Sequence, residues 1–180
     1  MATPDTVLAF WFQEIQPAQW WKVDAAFDEL VRTRFGDLHR SACQAELFGW
    51  RATSQGRLAE VIALDQFSRN IHRGTALAFA ADPLALALAQ EAVAAGADLA
   101  LPEERRAFLY MPWMHSESAA IHTAGEALMR ERAPKHTYDY ELKHKAIVDR
   151  FGRYPHRNAM LGRESTPEEL EFLKQPGSSF

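Results

Sequence analysis

The chain has 180 residues, of which 47% are hydrophobic and 24% charged, and its formal net charge is −4. This composition is typical of a globular protein and unlike that of a disordered chain. The negative charge argues against nucleic acid and membrane surfaces as partners, because both attract a basic surface. No linker-like tract divides the sequence, so we predict a single domain over residues 1–180.

The two ends of the chain and its cysteine content indicate where the protein works. The N-terminal "MATPDTVLAFWF" lacks the basic start and long apolar run of a signal peptide. We expect no membrane span, since no stretch approaches about 20 apolar residues. The single cysteine, Cys43, cannot form an internal disulfide. These features predict a soluble, cytoplasmic protein, and the tail "KQPGSSF" (174–180) is expected to be mobile.

Helix signals recur along the chain. Asp24 precedes "AAFDELVRTRFGDLHRSA", in which apolar residues follow helical spacing. Ser54 is predicted to cap the helix that begins with "QGRLAEVIALDQF". Asp82 followed by Pro83 predicts an N-cap with proline at the first helical position, and Gly96 predicts the end of that helix.

The C-terminal half carries the same kind of signal. Pro102 opens a helix whose first turn is acidic, and "TPEE" (166–169) forms a capping box. No run shows the two-residue alternation of a strand, and no Asn-Gly or Asp-Gly hairpin turn occurs. We therefore predict an all-α fold of about eight helices without a sheet. Consecutive short helix pairs suit a TPR-like superhelix, although no strict repeat of about 34 residues is visible.

Positive charge is concentrated near the C-terminus. Residues 143–163 contain six Lys or Arg and one acid, so this stretch carries +5 and the remainder −9. Within it lies "RFGRYPHRNAMLGRESTPEE" (150–169), here called the basic segment, which is too irregular for a helix and too polar for an ordinary turn. Its cations either bind an anionic ligand or pair with the protein's own carboxylates.

Four polar residues fall inside the apolar arcs of the predicted helices when residues are placed 100° apart. Asp65 lies at the centre of such an arc, and Arg69 continues it one turn later. Glu117 lies within the apolar side of "PWMHSESAAIHTAGEALM", and His144 completes that of "TYDYELKHKAIVDRF". Because buried charges require partners, we expect these four to meet one another and the arginines of the basic segment.

Two interpretations of this cluster stay open. Asp65 and Arg69 can pair along their own helix, and Glu117 can hold an arginine as a structural clasp. The arginines outnumber the acids, however, and a guanidinium suits an external carboxylate or phosphate. Two similar corners, "FSRNIHRG" (67–74) and "YPHRNAMLGR" (154–163), each carry Arg-Asn followed by another arginine. They could flank one pocket.

The remaining histidines and the absent motifs narrow the chemistry. His115, His122 and Glu126 are predicted on a solvated face opposite Glu117. A metal site from His115 and His122 is an alternative, but their spacing of seven differs from that of H-E-x-x-H. The sequence contains no Walker A, G-x-G-x-x-G, G-x-S-x-G or paired C-x-x-C motif, and we expect no cofactor. The five tryptophans are predicted to lie mostly in the core.

Three long motifs, "RLAEVIALDQFSRNIHRGTALAFAAD", "FLYMPWMHSES" and "RFGRYPHRNAMLGRESTPEELEFL", together resemble the bacterial family called domain of unknown function 924. The family's pattern differs at Ser68, where it normally has proline, and at Ala9 and Ser118, where it often has an acid. The resemblance implies an all-α, TPR-like fold and no established activity. Its motif positions here are Asp65, Gln66, Arg69, Asn70, Arg73, His115, Glu117, His144, Arg150, Arg153, Arg157, Asn158 and Arg163.

The leading hypothesis is an arginine-rich internal pocket for a small anionic molecule that bears phosphate or carboxylate. Arg69, Arg153 and Arg157 would hold the anion, and the full predicted binding set is Arg69, Asn70, Arg73, His115, Arg153, Arg157, Asn158 and Arg163. If turnover occurs, the candidate catalytic residues are His144, as proton donor or acceptor, with Asp65 and Glu117 orienting the arginines.

Two alternatives remain. The first is a TPR-like module that binds a peptide or partner protein and whose polar cluster is structural. The second is a metal-dependent hydrolase that uses Glu117 and His115. Whether the protein is an enzyme at all is left open by the sequence.

Overall fold

The computed structural model describes residues 2–179, and within this range it contains nine α-helical segments and no β-strand. Two of these segments, α3 (Ser54–Ile62) and α4 (Ser68–Ile71), are joined by a π-helical turn at Ala63–Phe67. Counting them as one gives eight helices, and the predicted all-α class is confirmed. The TPR-like label stays a prediction.

The other helices follow in chain order. They are α1 (Pro4–Ala9), α2 (Ala25–Cys43), α5 (Asp82–Ala94), α6 (Glu103–Met114), α7 (Ala119–Arg132), α8 (Lys135–Phe151) and α9 (Pro167–Phe172). A π turn, Phe10–Glu14, extends α1. Short 3₁₀ turns lie in the connections, at Pro17–Trp20, Phe48–Ala52, Ala76–Phe79, Ala97–Ala100 and Pro155–Arg157.

Most of the predicted helix caps are present, and two are corrected. Asp24 accepts the first free N–H groups of α2, and Thr166 forms the predicted capping box at α9. The cap of α3 is Thr53 and not Ser54, because Oγ1 of Thr53 accepts the N–H of Gly56 at 3.0 Å. Asp82 is the first residue of α5 and does not cap it. Its carboxylate instead binds arginines, as described below.

The hydrophobic core is built from aromatic and aliphatic residues of α1 to α7, and Trp11 and Trp113 belong to it as predicted. A second, smaller cluster joins the end of α8 to the basic segment and α9 through Ile147, Val148 and Tyr154. Trp21 is an exception to the predicted core tryptophans, since 64% of it is exposed. The small cluster holds the basic segment against the helices.

The stretch treated above as one helix from Trp113 to Leu128 is divided into two. Helix α6 ends at Met114 and α7 begins at Ala119. In the connection, the N–H of Ser118 donates to Oγ of Ser116 at 3.2 Å, a local bond of the kind that competes with helix continuation. His115 and Glu117 therefore lie in or beside a connection, and the helical wheel used for Glu117 was wrong.

One stretch comes closer to the length and composition of a membrane span than expected. Ala76–Ala94 is long and apolar enough by length and composition alone, with a mean hydropathy of 1.4 over its best window. The buried helix of a globular protein meets the same criterion, and Ala85, Ala89 and Ala92 of α5 pack into the core.

The single domain and the mobile tail stay predictions. At the C-terminal end, Oγ of Ser178 donates to the carbonyl of Leu173 at 3.1 Å, and Ser178 is buried. Phe180, which belongs to the predicted tail, lies outside the described residues.

Candidate functional site

Asp65 is the fully buried anion at the centre of the site, and it lies on the π turn between α3 and α4. Its Oδ1 is 2.7 Å from Nδ1 of His115 and 3.3 Å from Nη1 of Arg69, and Nε2 of Gln66 donates to its Oδ2 at 2.6 Å. Burial alone would raise the pKa of Asp65, but Arg69 and His115 outweigh burial and lower it. The predicted pairing of Asp65 with Arg69 is confirmed.

His115 is a neutral imidazole held by this carboxylate. Burial and the positive charge of Arg69 lower the pKa of His115 below its ordinary value. Because Asp65 is ionised, the ring proton resides on the nitrogen that faces it, Nδ1. Nε2, on the other edge of the ring, is therefore the lone-pair nitrogen and can accept a proton.

Asp82, to which the sequence assigned only a capping role, binds two arginines. Nη1 and Nη2 of Arg69 donate to its two oxygens at 2.9 and 3.1 Å, and Nη1 of Arg157 lies 3.4 Å from Oδ2. The two Arg-Asn corners of the sequence therefore converge on one carboxylate. The Asp-Pro pair at a helix start gave no sign of this, because both partners of Asp82 are distant in the sequence.

Arg157 is a buried cation with incomplete compensation. Its side chain is 7% exposed, and its Cζ lies 4.5 Å from the ring centroid of Phe79 and 4.7 Å from that of Tyr154. Its Nε is buried and has no hydrogen-bond partner among the described residues. Burial and the nearby charge of Arg69 lower the pKa of Arg157, which is the expected direction for a cation that lacks full pairing.

A cavity of about 350 Å³ opens beside Arg157, between the start of α5, the α6–α7 connection and the basic segment. Five of its lining residues are polar or charged, namely Asp82, His115, Ser116, Glu117 and Arg157. The others are apolar, namely Ala76, Phe79, Ala80, Pro83, Leu86, Pro112 and Leu161. Three of the predicted site residues, His115, Glu117 and Arg157, are thus brought together at one cavity.

Glu117 is held by Arg163 of the basic segment. Nη1 and Nη2 of Arg163 donate to its two oxygens at 2.6 and 2.8 Å, and the N–H of Tyr154 donates at 2.7 Å. Burial alone would raise the pKa of Glu117, but these hydrogen bonds lower it. Nε of Arg163 also donates to Oδ1 of Asn158 at 3.0 Å. The contacts match the structural clasp considered for Glu117.

Arg73 and Asn70 bind an acid that sequence reasoning did not single out. Nε and Nη2 of Arg73 donate to the two oxygens of Asp28 on α2 at 2.5 and 2.8 Å. Nδ2 of Asn70 donates to the same carboxylate at 2.8 Å. Asp28 directly follows Phe27 in the predicted helix, and the helical spacing of the apolar residues gave no signal for the role of this acid. Neither Asn70 nor Arg73 lines the cavity.

A similar clasp is formed by Arg153, which directly precedes the second corner, and Asn158 within that corner. Nε and Nη2 of Arg153 donate to Glu169 at 2.6 and 2.8 Å, and Nδ2 of Asn158 lies 3.3 Å from the same carboxylate. The hydrogen bonds from Arg153 lower the pKa of Glu169 to about 2. Arg153 and Asn158, both predicted to bind ligand, are therefore occupied by an internal acid and do not line the cavity.

His144 is buried and is not one of the residues that line the cavity. Its Nδ1 donates to the carbonyl of Tyr140 at 2.8 Å, and its ring centroid is 6.4 Å from that of His115. Burial lowers the pKa of His144 to about 3, so the ring is neutral. Asp65, Arg69, Glu117 and His144 were expected to meet one another and the arginines of the basic segment. Asp65 pairs with Arg69, and Glu117 pairs with Arg163 of that segment. A catalytic role for His144 stays a prediction.

His122 is fully buried, so its prediction on a solvated face was wrong. Its Nδ1 is 2.7 Å from Oε1 of Glu141, and its Nε2 is 2.8 Å from the carbonyl of Ser116. Burial raises the pKa of Glu141. The break between α6 and α7 changes the helical phase and accounts for the error.

The residues do not assemble an obvious metal site. Within residues 2–179, no group of three or more His, Cys, Asp or Glu side chains is placed to hold one ion. Both oxygens of Glu117 already accept hydrogen bonds from Arg163. The geometry therefore lends no support to the metal-dependent hydrolase.

Comparisons with known proteins place the sequence in a family. Residues 7–177 match the family described as "Bacterial protein of unknown function (DUF924)". A solved structure of a protein of unknown function from Agrobacterium tumefaciens is 40% identical, with a TM-score of 0.89 over 95% of this chain and 96% of that one. No curated protein matches the sequence significantly.

Proposed function

Because the chain belongs to the bacterial family DUF924, whose description assigns no activity, we propose a function from the cavity itself: it binds a small anionic molecule bearing phosphate or carboxylate. One observation carries the proposal. Arg157, buried at the cavity wall, shares Asp82 with Arg69 and has an Nε without a hydrogen-bond partner among the described residues. An anion that enters the cavity would lie beside Arg157, which lines it, and would compensate the charge of this guanidinium.

The surroundings of Arg157 favour tight binding of such a group. The guanidinium contacts the rings of Phe79 and Tyr154, which restricts the side chain and leaves less entropy to be lost on binding. Burial also strengthens a charge-assisted hydrogen bond relative to one at the surface. The lowered pKa of Arg157 agrees with a cation that would gain from an additional anion.

The proposal is narrower than the predicted set of eight binding residues. Arg73, Arg153 and Arg163 each hold an internal carboxylate through two hydrogen bonds. Arg157 is therefore the principal cation for the ligand. Should a proton be exchanged with the ligand, His115 is better placed than His144, because His115 lines the cavity.

The test compares two arginine variants of the basic segment. Thermal unfolding is followed for the wild type, Arg157→Gln and Arg153→Gln in a panel of phosphate, sulfate, acetate and larger carboxylates. The wild type is expected to be stabilised by at least one anion. Arg157→Gln should fold, because Asp82 keeps Arg69, and should lose the response.

Arg153→Gln is the matched control, since it removes one cation from the same segment but breaks the clasp with Glu169. It should unfold at lower temperature and keep the response to the anion. Equal anion responses of Arg157→Gln and the wild type, or no response in any protein, would contradict the proposal.

The TPR-like interaction module is the second candidate. It is favoured by the ion pairs of Arg73, Arg153 and Arg163 with internal acids, because such pairs are expected of a cluster whose role is structural. In that case no small anion shifts the unfolding temperature, and Arg157→Gln changes only stability. The same experiment therefore distinguishes the two candidates.

A further inference from the structure

We infer that the ligand of the cavity is a monocarboxylic acid with a short apolar body, and not a phosphate ester or an inorganic anion. The inference rests on the proposed function and narrows it to one chemical class. It follows from the charge of the cluster around Arg157, from the apolar wall and from the way other arginines of this chain hold carboxylates.

The charged side chains around the cavity are balanced before any ligand arrives. Three cations face three ionised acids through the ion pairs described above: Arg69, Arg157 and Arg163 with Asp65, Asp82 and Glu117. The formal charge of this cluster is therefore zero, and within it Arg157, which shares Asp82 with Arg69, is the cation whose charge is least compensated. Two of the acids, Asp82 and Glu117, line the cavity itself.

This balance favours a singly charged ligand. A phosphate monoester carries a charge of about −1.5 to −2 at pH 7, and the cost of holding charge in a poorly hydrated site rises steeply with its amount. One buried arginine can compensate one carboxylate. A second negative charge on the ligand would remain largely uncompensated. It would also face the carboxylates of Asp82 and Glu117 and be repelled by them.

The apolar residues of the cavity wall favour a ligand that carries a hydrocarbon body in addition to its anionic group. Phe79, Pro83, Leu86, Pro112 and Leu161 all line the cavity. A hydrocarbon body removes such surface from water and gains about 25 cal/mol per Å² of apolar area. The volume of about 350 Å³ lies at the small end of ligand sites, so the body is short.

Other arginines of this chain show how a carboxylate would be held. Arg51, Arg73 and Arg153 each bind an internal carboxylate through the edge formed by Nε and Nη2. In Arg157, the contact with Asp82 uses Nη1, and Nε is the buried donor without a partner among the described residues. Carboxylate and phosphate both suit such an edge, so the choice of a carboxylate rests on the single charge argued above.

The experiment uses ligands that share one body and differ in the head group. Isothermal titration and thermal unfolding compare sodium hexanoate with hexyl phosphate and hexanamide. Acetate and inorganic phosphate are included as anionic groups that lack the hexyl chain. Wild type, Arg157→Gln and Arg153→Gln are measured side by side. We expect hexanoate to bind at least tenfold more tightly than the other four, and only to proteins that retain Arg157.

The outcomes test three things separately: the head group of the ligand, its apolar body and the anion site itself. Tighter binding of hexyl phosphate than of hexanoate overturns the carboxylate class and leaves the proposed anion site standing. Equal binding of acetate and hexanoate overturns the apolar body. Equal binding of hexanamide and hexanoate, or no binding of any anion, overturns both the inference and the proposed function.

Discussion

Arg157 contacts Asp82 across 75 positions of the sequence, with 3.4 Å between Nη1 and Oδ2. Asp82 stands at the start of α5 and also binds Arg69, which lies in α4. A single carboxylate thus joins three parts of the fold at the edge of the cavity. The contact joins distant segments. Because Arg157 shares Asp82 with Arg69, it also leaves the positive charge of Arg157 only partly compensated.

Asp82→Asn is expected to destabilise the protein by about 3 kcal/mol, because it leaves two largely buried guanidinium groups without their shared acid. Urea unfolding at pH 7 measures the change. Asp139→Asn is the control, since Asp139 pairs with Lys135 at the surface and should cost less than about 1 kcal/mol. Equal losses in the two variants would show that Asp82 is not a central tie.

Adjacent acids of α9 provide a second comparison. Glu169 is buried and accepts two hydrogen bonds from Arg153, whereas Glu168 is exposed and pairs with Arg150. Glu169→Gln is expected to cost about 2 kcal/mol at pH 7, as is usual for hydrogen bonds to a charged group. Glu168→Gln should cost less than about 1 kcal/mol. Urea unfolding of both variants checks the ranking.

The pH dependence of this pair has a definite sign. The pKa of Glu169 is lowered to about 2 from the model-peptide value of 4.5, so its stabilisation is fully present above pH 4.5 and is lost as the pH falls towards 2. The stability difference between the wild type and Glu169→Gln should therefore shrink between pH 5 and pH 3. A constant difference over that interval would contradict the assignment of the clasp.

Local chemistry explains what the sequence could predict. The caps at Asp24 and Thr166 depend on residues within one turn, and they occur as expected. Asp65 and Arg69 lie four positions apart, so a helical wheel was sufficient to predict that they are buried and paired. The all-α class follows from many such local signals acting together.

Contacts between distant segments account for what the sequence could not predict. Neither Asp82 nor Asp28 differs locally from an ordinary helix acid, and only the folded chain brings arginines to them. The burial of His122 was missed because the wheel continued through Ser116, where the helix is interrupted. The predicted excess of arginines is reduced to Arg157, because internal acids hold Arg73, Arg153 and Arg163.

Acid sensitivity is expected to begin at a pH above the range in which carboxylates titrate. His144 is buried near His115, His122, Arg157 and Tyr154, and burial lowers its pKa to about 3 from 6.5. The unfolded chain binds the proton first as the pH falls, so the stability decreases from pH 6.5 down to about 3. His144→Gln should reduce the slope of stability against pH by up to about 1.4 kcal/mol per unit.

The measurement is urea unfolding between pH 7 and pH 4, and the slope is used because the variant also changes stability itself. His136→Gln, at an exposed position of α8, is the matched control and should leave the slope unchanged. A slope for His144→Gln equal to that of the wild type would show that His144 does not contribute to the acid sensitivity.

The packing of α6 against α7 can be tested with two glycines that differ in the space around them. A Cβ at Gly125 would lie 3.0 Å from Cβ of Trp113, whose side chain is buried and cannot move without α6. Gly125→Ala should therefore destabilise by about 1 kcal/mol, because overpacking exceeds the gain in helix propensity. At Gly36 in α2 no atom lies within 4 Å of the added Cβ, so Gly36→Ala should stabilise by about 0.5–1 kcal/mol. Urea unfolding of both variants measures the two opposite signs, and stabilisation by Gly125→Ala would show that the two helices are not in close contact there.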